Sequence, residues 1–354
     1  MNSTNLLSIL LPSLITFVIG IFISFPIHRW LIKNEIWKKK SVNKSIDGKE
    51  TPITAQIHND EKNKVPRMGG LIIWISVLLT AAIFYTLSRF TDYELIKKLD
   101  FTSRSQTWIP LFSLLFGGVF GAIDDLSVVD YFKKIGTYIG GGLSLKVRLF
   151  FVFLISIFVS YWFIFKLEMN SINIPFFGEL FLSPFTYTII LIAVMMATYA
   201  GGIIDGVDGL SGGVMMMIYS AYGVLALIKH QFDIATLCFV IVSGILAFLW
   251  FNIPPAKFYN METGMTPLLL TIVIIAYLVD GVAYLPVIAF LLYVTVASTI
   301  IQLLSKKFRG KKFFLVAPIH HHFEAKGMPN YKVAMRYWII SYFCAVAGVL
   351  LSFV

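Results

Sequence analysis

Four polar clusters interrupt an otherwise apolar chain, and their residue types are those that phosphate chemistry uses. Hydrocarbon penalises carboxylates heavily, so polar clusters at the ends of apolar spans usually mark function. We expect the clusters to form one composite site that faces one compartment. They are Pro-Arg-Met-Gly-Gly at 66–70, Ile-Asp-Asp at 123–125, Asp-Gly-Val-Asp-Gly at 205–209 and Pro-Ile-His-His-His-Phe-Glu at 318–324.

The adjacent carboxylates of Asp124 and Asp125 lie at the end of a predicted apolar span. Neighbouring carboxylates repel each other, so at least one of them needs a cation or a proton nearby. A divalent metal or a basic loop would supply the cation. The alternative is a pair at a helix end that is simply hydrated.

The run from Asp205 to Gly209 alternates aspartate with glycine. Glycine leaves the backbone N–H groups of a turn unshielded, and such a turn can hold a phosphate or bind the edge of a base. Asp208 could also cap the helix predicted to begin near Leu210. A turn that only caps this helix is the alternative.

The next polar segment combines the amide of Asn252, the cation of Lys257, the ring of Tyr259 and the carboxylate of Glu262. This set suits a nucleotide, because a ring stacks on the base, a lysine binds phosphate and a carboxylate binds a metal ion. Loops beside membrane spans often contain such residues, so the segment is a weak signal alone.

The run His320-His321-His322 is the most specific cluster. Three consecutive side chains cannot all point one way, so the run is not a ready-made zinc site with three ligands. One or two of the imidazoles could serve near pH 7 as neutral donors or phosphate contacts. The cations upstream, Arg309, Lys311 and Lys312, would add a positive field for anionic substrates. The alternative is a surface histidine tract without function.

Together the clusters predict phosphoryl transfer, which requires in-line positioning and neutralisation of charge. Hard oxygen ligands favour Mg²⁺, with Mn²⁺ as the alternative, over zinc. A site at the membrane face suggests that one substrate is a lipid phosphate and the other a soluble nucleotide.

The elements that position these clusters are predicted to be membrane-spanning helices of one domain, 1–354. The chain is 58% hydrophobic and 14% charged, whereas a soluble protein has about 25% charged residues. The segment 170–178 contains a proline and cannot span; it is predicted as an external loop with a short hairpin. Apolar runs long enough to cross a bilayer lie near 7–28, 68–88, 107–124, 148–165, 183–203, 211–228, 232–251, 265–280, 283–304 and 336–354.

The basic residues predict the orientation of this all-α integral membrane protein. Of the 29 Lys and Arg residues, 23 lie in alternate loops that also hold the four clusters. Cytoplasmic loops carry such an excess, so the site is expected in a cytoplasmic cleft and both termini in the periplasm. The same distribution explains the net charge of +10 without a nucleic-acid partner.

The four clusters, in this order on ten predicted spans, resemble the phospho-N-acetylmuramoyl-pentapeptide transferase family. This family belongs to the polyprenyl-phosphate N-acetylhexosamine-1-phosphate transferases. The run from Ala317 to Glu324, followed by Gly327, Val333, Arg336 and Trp338, favours the muramoyl branch. The resemblance covers the chain from about Lys62 to Trp338.

The resemblance implies a bacterial inner-membrane enzyme of peptidoglycan synthesis. Its substrates would be UDP-MurNAc-pentapeptide and undecaprenyl phosphate, its products lipid I and UMP, and its cofactor Mg²⁺. Membrane lipids would surround it, and a homodimer is compatible with the resemblance.

The resemblance also implies site residues. The catalytic residues would be Asp124, Asp125, Asp208, Glu262, His320 and His321. The substrate-binding residues would be Lys62, Asp205, Gly206, Val207, Asn252, Tyr259 and His322. Glu262, Asp124 and Asp125 would bind the metal ion.

Several positions depart from the family pattern. Gly202 stands where the family has asparagine, Val65 and Arg67 replace two threonines, and Val128 replaces a lysine. The usual Met-Gly-Asp-x-Gly-Ser becomes Asn-Met-Glu-Thr-Gly-Met over residues 260–265. Glutamate keeps the charge of the metal-binding aspartate but lengthens its side chain by one methylene.

Three alternative functions remain open from the sequence. A sister transferase would use another sugar nucleotide, such as UDP-GlcNAc, although the histidine run disfavours it. An ion-coupled transporter would place carboxylates near the midplane of the membrane. An inactive scaffold is supported only by the substitutions at Gly202, Met261 and Glu262.

Overall fold

The computed structural model describes residues 3–37, 65–103, 106–129 and 142–354, and about three quarters of them are helical. Within these ranges, ten helices are long and apolar enough to cross a membrane. This confirms the predicted all-α membrane architecture and its number of spans.

Long helices make up most of the described chain, and short helices, turns and one hairpin connect them. In chain order, the elements are α1 Ser3–Lys33, α2 Leu71–Phe90, α3 Glu94–Leu99, α4 Trp108–Val128, α5 Leu145–Lys166, β1 Ser171–Ile174, β2 Gly178–Phe181, α6 Pro184–Ala200, α7 Leu210–Ile228, α8 Phe232–Asn252, α9 Met261–Leu278, α10 Leu285–Ile288, α11 Phe290–Arg309, α12 Ile319–Ala325 and α13 Asn330–Leu350. Short 3₁₀ turns cover Gly201–Ile204, Val282–Tyr284 and Leu351–Phe353.

Two helices begin with side-chain caps that the sequence makes available. The hydroxyl of Ser144 accepts a hydrogen bond from the backbone N–H of Val147 at the start of α5. The hydroxyl of Ser183 does the same for Thr186 at the start of α6, where Pro184 occupies the first turn. Each cap satisfies an N–H that has no partner within its helix.

Helices α8 and α9 form the centre of the bundle. Within their apolar spans, 78% of α8 and 89% of α9 are buried. A helix that is apolar on all sides belongs in such a position. Helix α9 packs mainly on α4, and α8 packs mainly on α1 and α7, so the outer helices turn their remaining apolar faces outward.

Glycines on one face of α4 bring this helix very close to α9. A Cβ on Gly117 would lie 2.8 Å from Pro267, and a Cβ on Gly121 would lie 2.1 Å from the carbonyl oxygen of Glu262. Small residues at four-residue spacing allow such close packing of membrane helices. Asp125 continues the same face one turn later, so this packing carries it to the start of α9.

Some predicted boundaries were wrong, most importantly at the polar ends of helices. Helix α9 begins at Met261 instead of 265 and α13 at Asn330 instead of 336, because helices continue beyond the apolar residues that hydropathy detects. The predicted span 283–304 is broken between α10 and α11. Glu262 therefore lies in the first turn of α9 and not in a loop.

The predicted hairpin is confirmed as an antiparallel pair of strands. Ser171 pairs with Phe181 and Ile174 with Gly178. The backbone N–H of Asn173 donates to Asp280 Oδ1 at 3.1 Å, which ties the hairpin to the loop after α9. The hairpin joins the C-terminal end of α5 to the start of α6, so it lies at the opposite end of the bundle from Asp125.

Candidate active site

Asp125 is a fully buried carboxylate that joins three segments of the chain. Its Oδ1 atom accepts from Arg67 Nη2 at 3.0 Å. Its Oδ2 atom accepts from the backbone N–H of Thr263 at 2.8 Å and from the Thr263 hydroxyl at 2.6 Å. Asp125 thus holds the end of α4 to the first turn of α9 and to Arg67, which lies just before α2.

Arg148 bridges the other two carboxylates of the cluster. Its Nη2 atom lies 3.0 Å from Asp124 Oδ2, and its Nη1 atom lies 2.7 Å from Glu262 Oε1. The remaining oxygen of Asp124 accepts from the backbone N–H of Leu143 at 2.5 Å. The remaining oxygen of Glu262 accepts from the Thr266 hydroxyl at 3.0 Å.

The carboxylates of this cluster differ in their access to a ligand. The side chains of Asp124 and Asp125 are 2% and 0% exposed, whereas that of Glu262 is 27% exposed. Glu262 is therefore the carboxylate that a bound molecule can reach, while the aspartates are enclosed by their partners.

A shared metal site is not preformed by these residues. In the part of the chain that the structure describes, no three His, Cys, Asp or Glu side chains have the spacing of metal ligands. The Arg148 guanidinium lies between Asp124 and Glu262, where an ion shared by both would need to sit. Mg²⁺ is commonly held by one or two carboxylates together with substrate phosphates, and the partly exposed carboxylate of Glu262 fits that arrangement.

Asp205 connects the Asp-Gly turn to the same corner of the bundle. Its Oδ2 atom accepts from the backbone N–H of Met261 at 2.7 Å, and its Oδ1 atom accepts from the Ser211 hydroxyl. Burial raises the pKa of Asp205 to about 6, although these two hydrogen bonds lower it. Asp205 thus holds Met261, the residue just before Glu262. Met261 adopts a left-handed conformation, with a φ of 57°.

The first two histidines of the run cover the glycine of this turn. A Cβ on Gly206 would lie 2.7 Å from His321 Nε2 and 2.8 Å from His320 Nε2. The other ring nitrogen of His321, Nδ1, lies 2.5 Å from Glu324 Oε2. A carboxylate at Nδ1 fixes the orientation of an imidazole and favours a proton on that nitrogen.

His322 points away from this cluster. Its Nδ1 atom accepts from the backbone N–H of Leu315 at 3.2 Å, and its ring contacts that of Phe314. Burial and then the neighbouring Lys326 lower the pKa of His322, which suits an acceptor nitrogen. The structure therefore separates His322 from the two histidines at Gly206.

The remaining residues predicted on the nucleotide side organise the backbone around the turn. Asn252 accepts from the N–H of Gly209 at 2.9 Å and donates to the carbonyl of Phe258 at 2.9 Å. Asp208 Oδ2 accepts from the N–H of Ala256 at 3.2 Å. Val207 is buried in the apolar core.

Tyr259 is part of a backbone pairing with the residues that precede α2. Its N–H donates to the carbonyl of Pro66 at 2.9 Å, and its carbonyl accepts from Gly69 at 2.8 Å. Its side chain is half-buried. Lys62, the remaining predicted residue, lies outside the described residues.

The structure thus brings Asp124, Asp125, Asp205 and Glu262 into one network and places His320 and His321 on the adjoining turn. Sequence reasoning missed Arg148, Arg67 and Thr263. The position of Arg148 in the first turn of an apolar span was a clue to its role. Arg67 was placed in the first polar cluster and noted as a departure from the family pattern, but no ion pair was predicted for it. The acidic groups lie in the end turns of α4 and α9, which differs from the midplane position expected of a transporter site.

Comparison with known proteins identifies the family. Residues 107–280 match the family described as glycosyl transferase family 4. A phospho-N-acetylmuramoyl-pentapeptide-transferase of Listeria welshimeri serovar 6b is 31% identical over 293 residues, which are 82% of this chain and 85% of that protein. The protein of the same name from Chlorobium phaeovibrioides is 29% identical over 79% of this chain and 78% of its own length. The chain therefore belongs to the phospho-N-acetylmuramoyl-pentapeptide transferase family.

Proposed function

We propose that this protein transfers phospho-N-acetylmuramoyl-pentapeptide from UDP-MurNAc-pentapeptide to undecaprenyl phosphate. A phosphate oxygen of the lipid forms a bond to the phosphorus attached to the sugar. The bond from that phosphorus to the bridging oxygen breaks, and UMP leaves with the electron pair. The products are lipid I and UMP.

The observation that carries this proposal is the convergence of distant polar groups at one end of a membrane bundle. Arg148 joins Asp124 to Glu262, and Asp205 holds the residue before Glu262. A site at the end of membrane-spanning helices can admit a lipid phosphate from the bilayer and a nucleotide from water.

The residues have different roles in the proposed reaction. His320 and His321, whose Nε2 atoms lie next to Gly206, are the proposed contacts for phosphate oxygens. Because Glu324 holds the Nδ1 side of His321, this ring donates from Nε2 only as an imidazolium. Asp124 positions Arg148, which neutralises charge beside Glu262. Asp125 and Asp205 fix the first turn of α9, so that the Glu262 carboxylate is held in place before substrate arrives.

Glu262 is the residue that would hold Mg²⁺, together with oxygens of the substrate. When bound, the ion would neutralise negative charge on the diphosphate. Asp124 and Asp125 remain paired with arginines in this proposal and contribute through position and field.

The proposed location is the bacterial inner membrane, with the site toward the cytoplasm and both termini in the periplasm. The asymmetry of Lys and Arg supports this orientation. It also gives the site direct access to a soluble nucleotide sugar.

A purified-protein assay tests the reaction. UMP release is measured with undecaprenyl phosphate and either UDP-MurNAc-pentapeptide or UDP-GlcNAc, in Mg²⁺ or in excess chelator. We expect release with the muramoyl substrate only, and its loss in chelator. Release with UDP-GlcNAc alone would assign the chain to a sister activity, and no release from folded protein would contradict the proposal.

Substitution of Glu262 tests its role in the same assay. Glu262→Gln removes the charge of this partly exposed carboxylate and is expected to lower turnover at least ~100-fold, as loss of a charge contact in the transition state does. Glu262→Asp keeps the charge and the ligand type and is expected to retain activity. Wild-type turnover in Glu262→Gln would remove this residue from the site.

A further inference from the structure

A dense basic segment follows the apolar part of α11 and is not part of the site described above. Residues 306–315, which we call the basic platform, contain Lys306, Lys307, Arg309, Lys311 and Lys312. No aspartate or glutamate occurs in the sequence between Asp280 and Glu324. The platform therefore has a strong charge of one sign.

The platform is a built structure held against the last turns of α11. Gln302 Oε1 accepts from the backbone N–H groups of Phe313 and Phe314 at 2.9 Å each, and Gln302 Nε2 donates to the carbonyl of Phe314 at 3.0 Å. The Ser305 hydroxyl donates to the carbonyl of Lys311 at 2.9 Å. Gly310, with a φ of 64°, allows the chain to reverse between these contacts.

Apolar side chains lie exposed among the cations. Phe308 is 74% exposed and Phe313 is 58% exposed. The neighbouring cations are exposed too, namely Lys307, Arg309, Lys311 and Lys312. On α11 itself, Leu303 and Leu304 continue the apolar surface into the candidate membrane span. Apolar groups beside cations at the end of a span match the headgroup region of a bilayer, where lysine and arginine meet lipid phosphates.

We propose that the basic platform binds the headgroups of anionic phospholipids in the leaflet at the site end of the bundle. Several cations spread along a surface fit a layer of headgroups better than one substrate phosphate. This inference does not depend on the reaction proposed above.

The contacts of His322 connect this surface to the site. Its Nδ1 atom accepts from Leu315, the last residue of the platform, and its ring contacts Phe314. His322 belongs to α12, which also carries the two histidines beside Gly206. Lipid bound to the platform would therefore fix the position of α12 relative to the membrane.

Native mass spectrometry of the full-length protein in detergent tests this proposal. The probes are phosphatidylglycerol, phosphatidylcholine with the same acyl chains, and undecaprenyl phosphate. The platform variant is Lys307→Gln, Arg309→Gln, Lys311→Gln and Lys312→Gln. The matched control removes the same number of charges at the other end of the bundle, as Arg89→Gln, Lys97→Gln, Lys98→Gln and Lys166→Gln.

We expect wild type and control to prefer phosphatidylglycerol, and the platform variant to bind it at least about tenfold more weakly. Binding of phosphatidylcholine is expected to stay unchanged in all proteins. Equal phosphatidylglycerol binding by the platform and control variants would overturn the proposal. A loss confined to undecaprenyl phosphate would overturn it too, since the surface would then be a substrate site.

If the platform variant does not fold, the wild type still decides the question. Its preference for phosphatidylglycerol over phosphatidylcholine is measured by thermal shift between about 50 and about 500 mM NaCl. An electrostatic surface site loses this preference as salt rises. A preference that does not change with salt would contradict binding through the platform.

Discussion

At the scale of single residues, arginines neutralise the adjacent carboxylates of Asp124 and Asp125. Adjacent carboxylates require a nearby cation, and the sequence left open whether a metal or a basic loop supplies it. Arg67 pairs with Asp125, and Arg148 pairs with Asp124 and Glu262. The buried charges are thus compensated by side chains of the chain itself.

Arg148→Gln is expected to destabilise the protein, because it leaves the buried Asp124 carboxylate without its counter-ion. Removing one partner of a buried ion pair costs about 3 kcal/mol or more, which a lower Tm in detergent would report. The double variant Arg148→Gln with Asp124→Asn should recover part of the loss, since the unpaired charge is gone. If the two effects simply add, Arg148 and Asp124 are not coupled.

Asp205→Asn tests the raised pKa of this carboxyl. A pKa raised from 3.8 to about 6 means that the folded state binds the proton more tightly, so stability falls as pH rises from 3.8 to about 6. Asparagine removes this loss, which is at most about 3 kcal/mol. In chelator, the Tm of Asp205→Asn should match wild type at about pH 4 and exceed it at about pH 7. A Tm difference independent of pH would contradict the assignment.

At the scale of elements, the groups of the candidate site meet at the start of α9. Asp125 binds Thr263, Asp205 binds Met261, and Glu262 lies between them. The glycine face of α4 makes this possible, because a side chain at Gly121 would collide with the carbonyl of Glu262.

Gly121→Ala is expected to separate α4 from α9 at the level of the site. Its Cβ would lie 2.1 Å from the Glu262 carbonyl oxygen, and overpacking of this kind costs about 1–3 kcal/mol. We expect a lower Tm and a loss of UMP release. Gly281→Ala is the control, because its nearest neighbour, a side-chain atom of Val279, would be 3.2 Å away. Equal effects of the two variants would show that the α4–α9 contact has no special role.

At the scale of the whole molecule, the bundle separates a polar end from a hairpin end. The carboxylate network, the histidines and the basic platform lie at the site end. The hairpin, with Phe177 87% exposed, lies at the other. Since helices of this length cross a membrane, the two ends face different compartments.

Cysteine labelling in intact cells tests the orientation. A membrane-impermeant thiol reagent is expected to label Phe177→Cys on the hairpin but not Lys312→Cys on the platform. The wild type gives the background from Cys238, which is buried, and Cys344, which is half-buried. Labelling of Lys312→Cys alone would invert the proposed topology.

The sequence alone determined the helical membrane class, the number of spans, the hairpin and the four polar clusters of the candidate site. These depend on local properties: apolar length, turn residues and the high cost of charge in hydrocarbon. Only the tertiary structure decided which groups meet, because Arg148 and Glu262 are far apart along the chain and come together through packing. The tertiary structure also separated His322 from His320 and His321. The direction of each side chain depends on how helix α12 packs on its neighbours, and the spacing of residues in the sequence does not specify that packing.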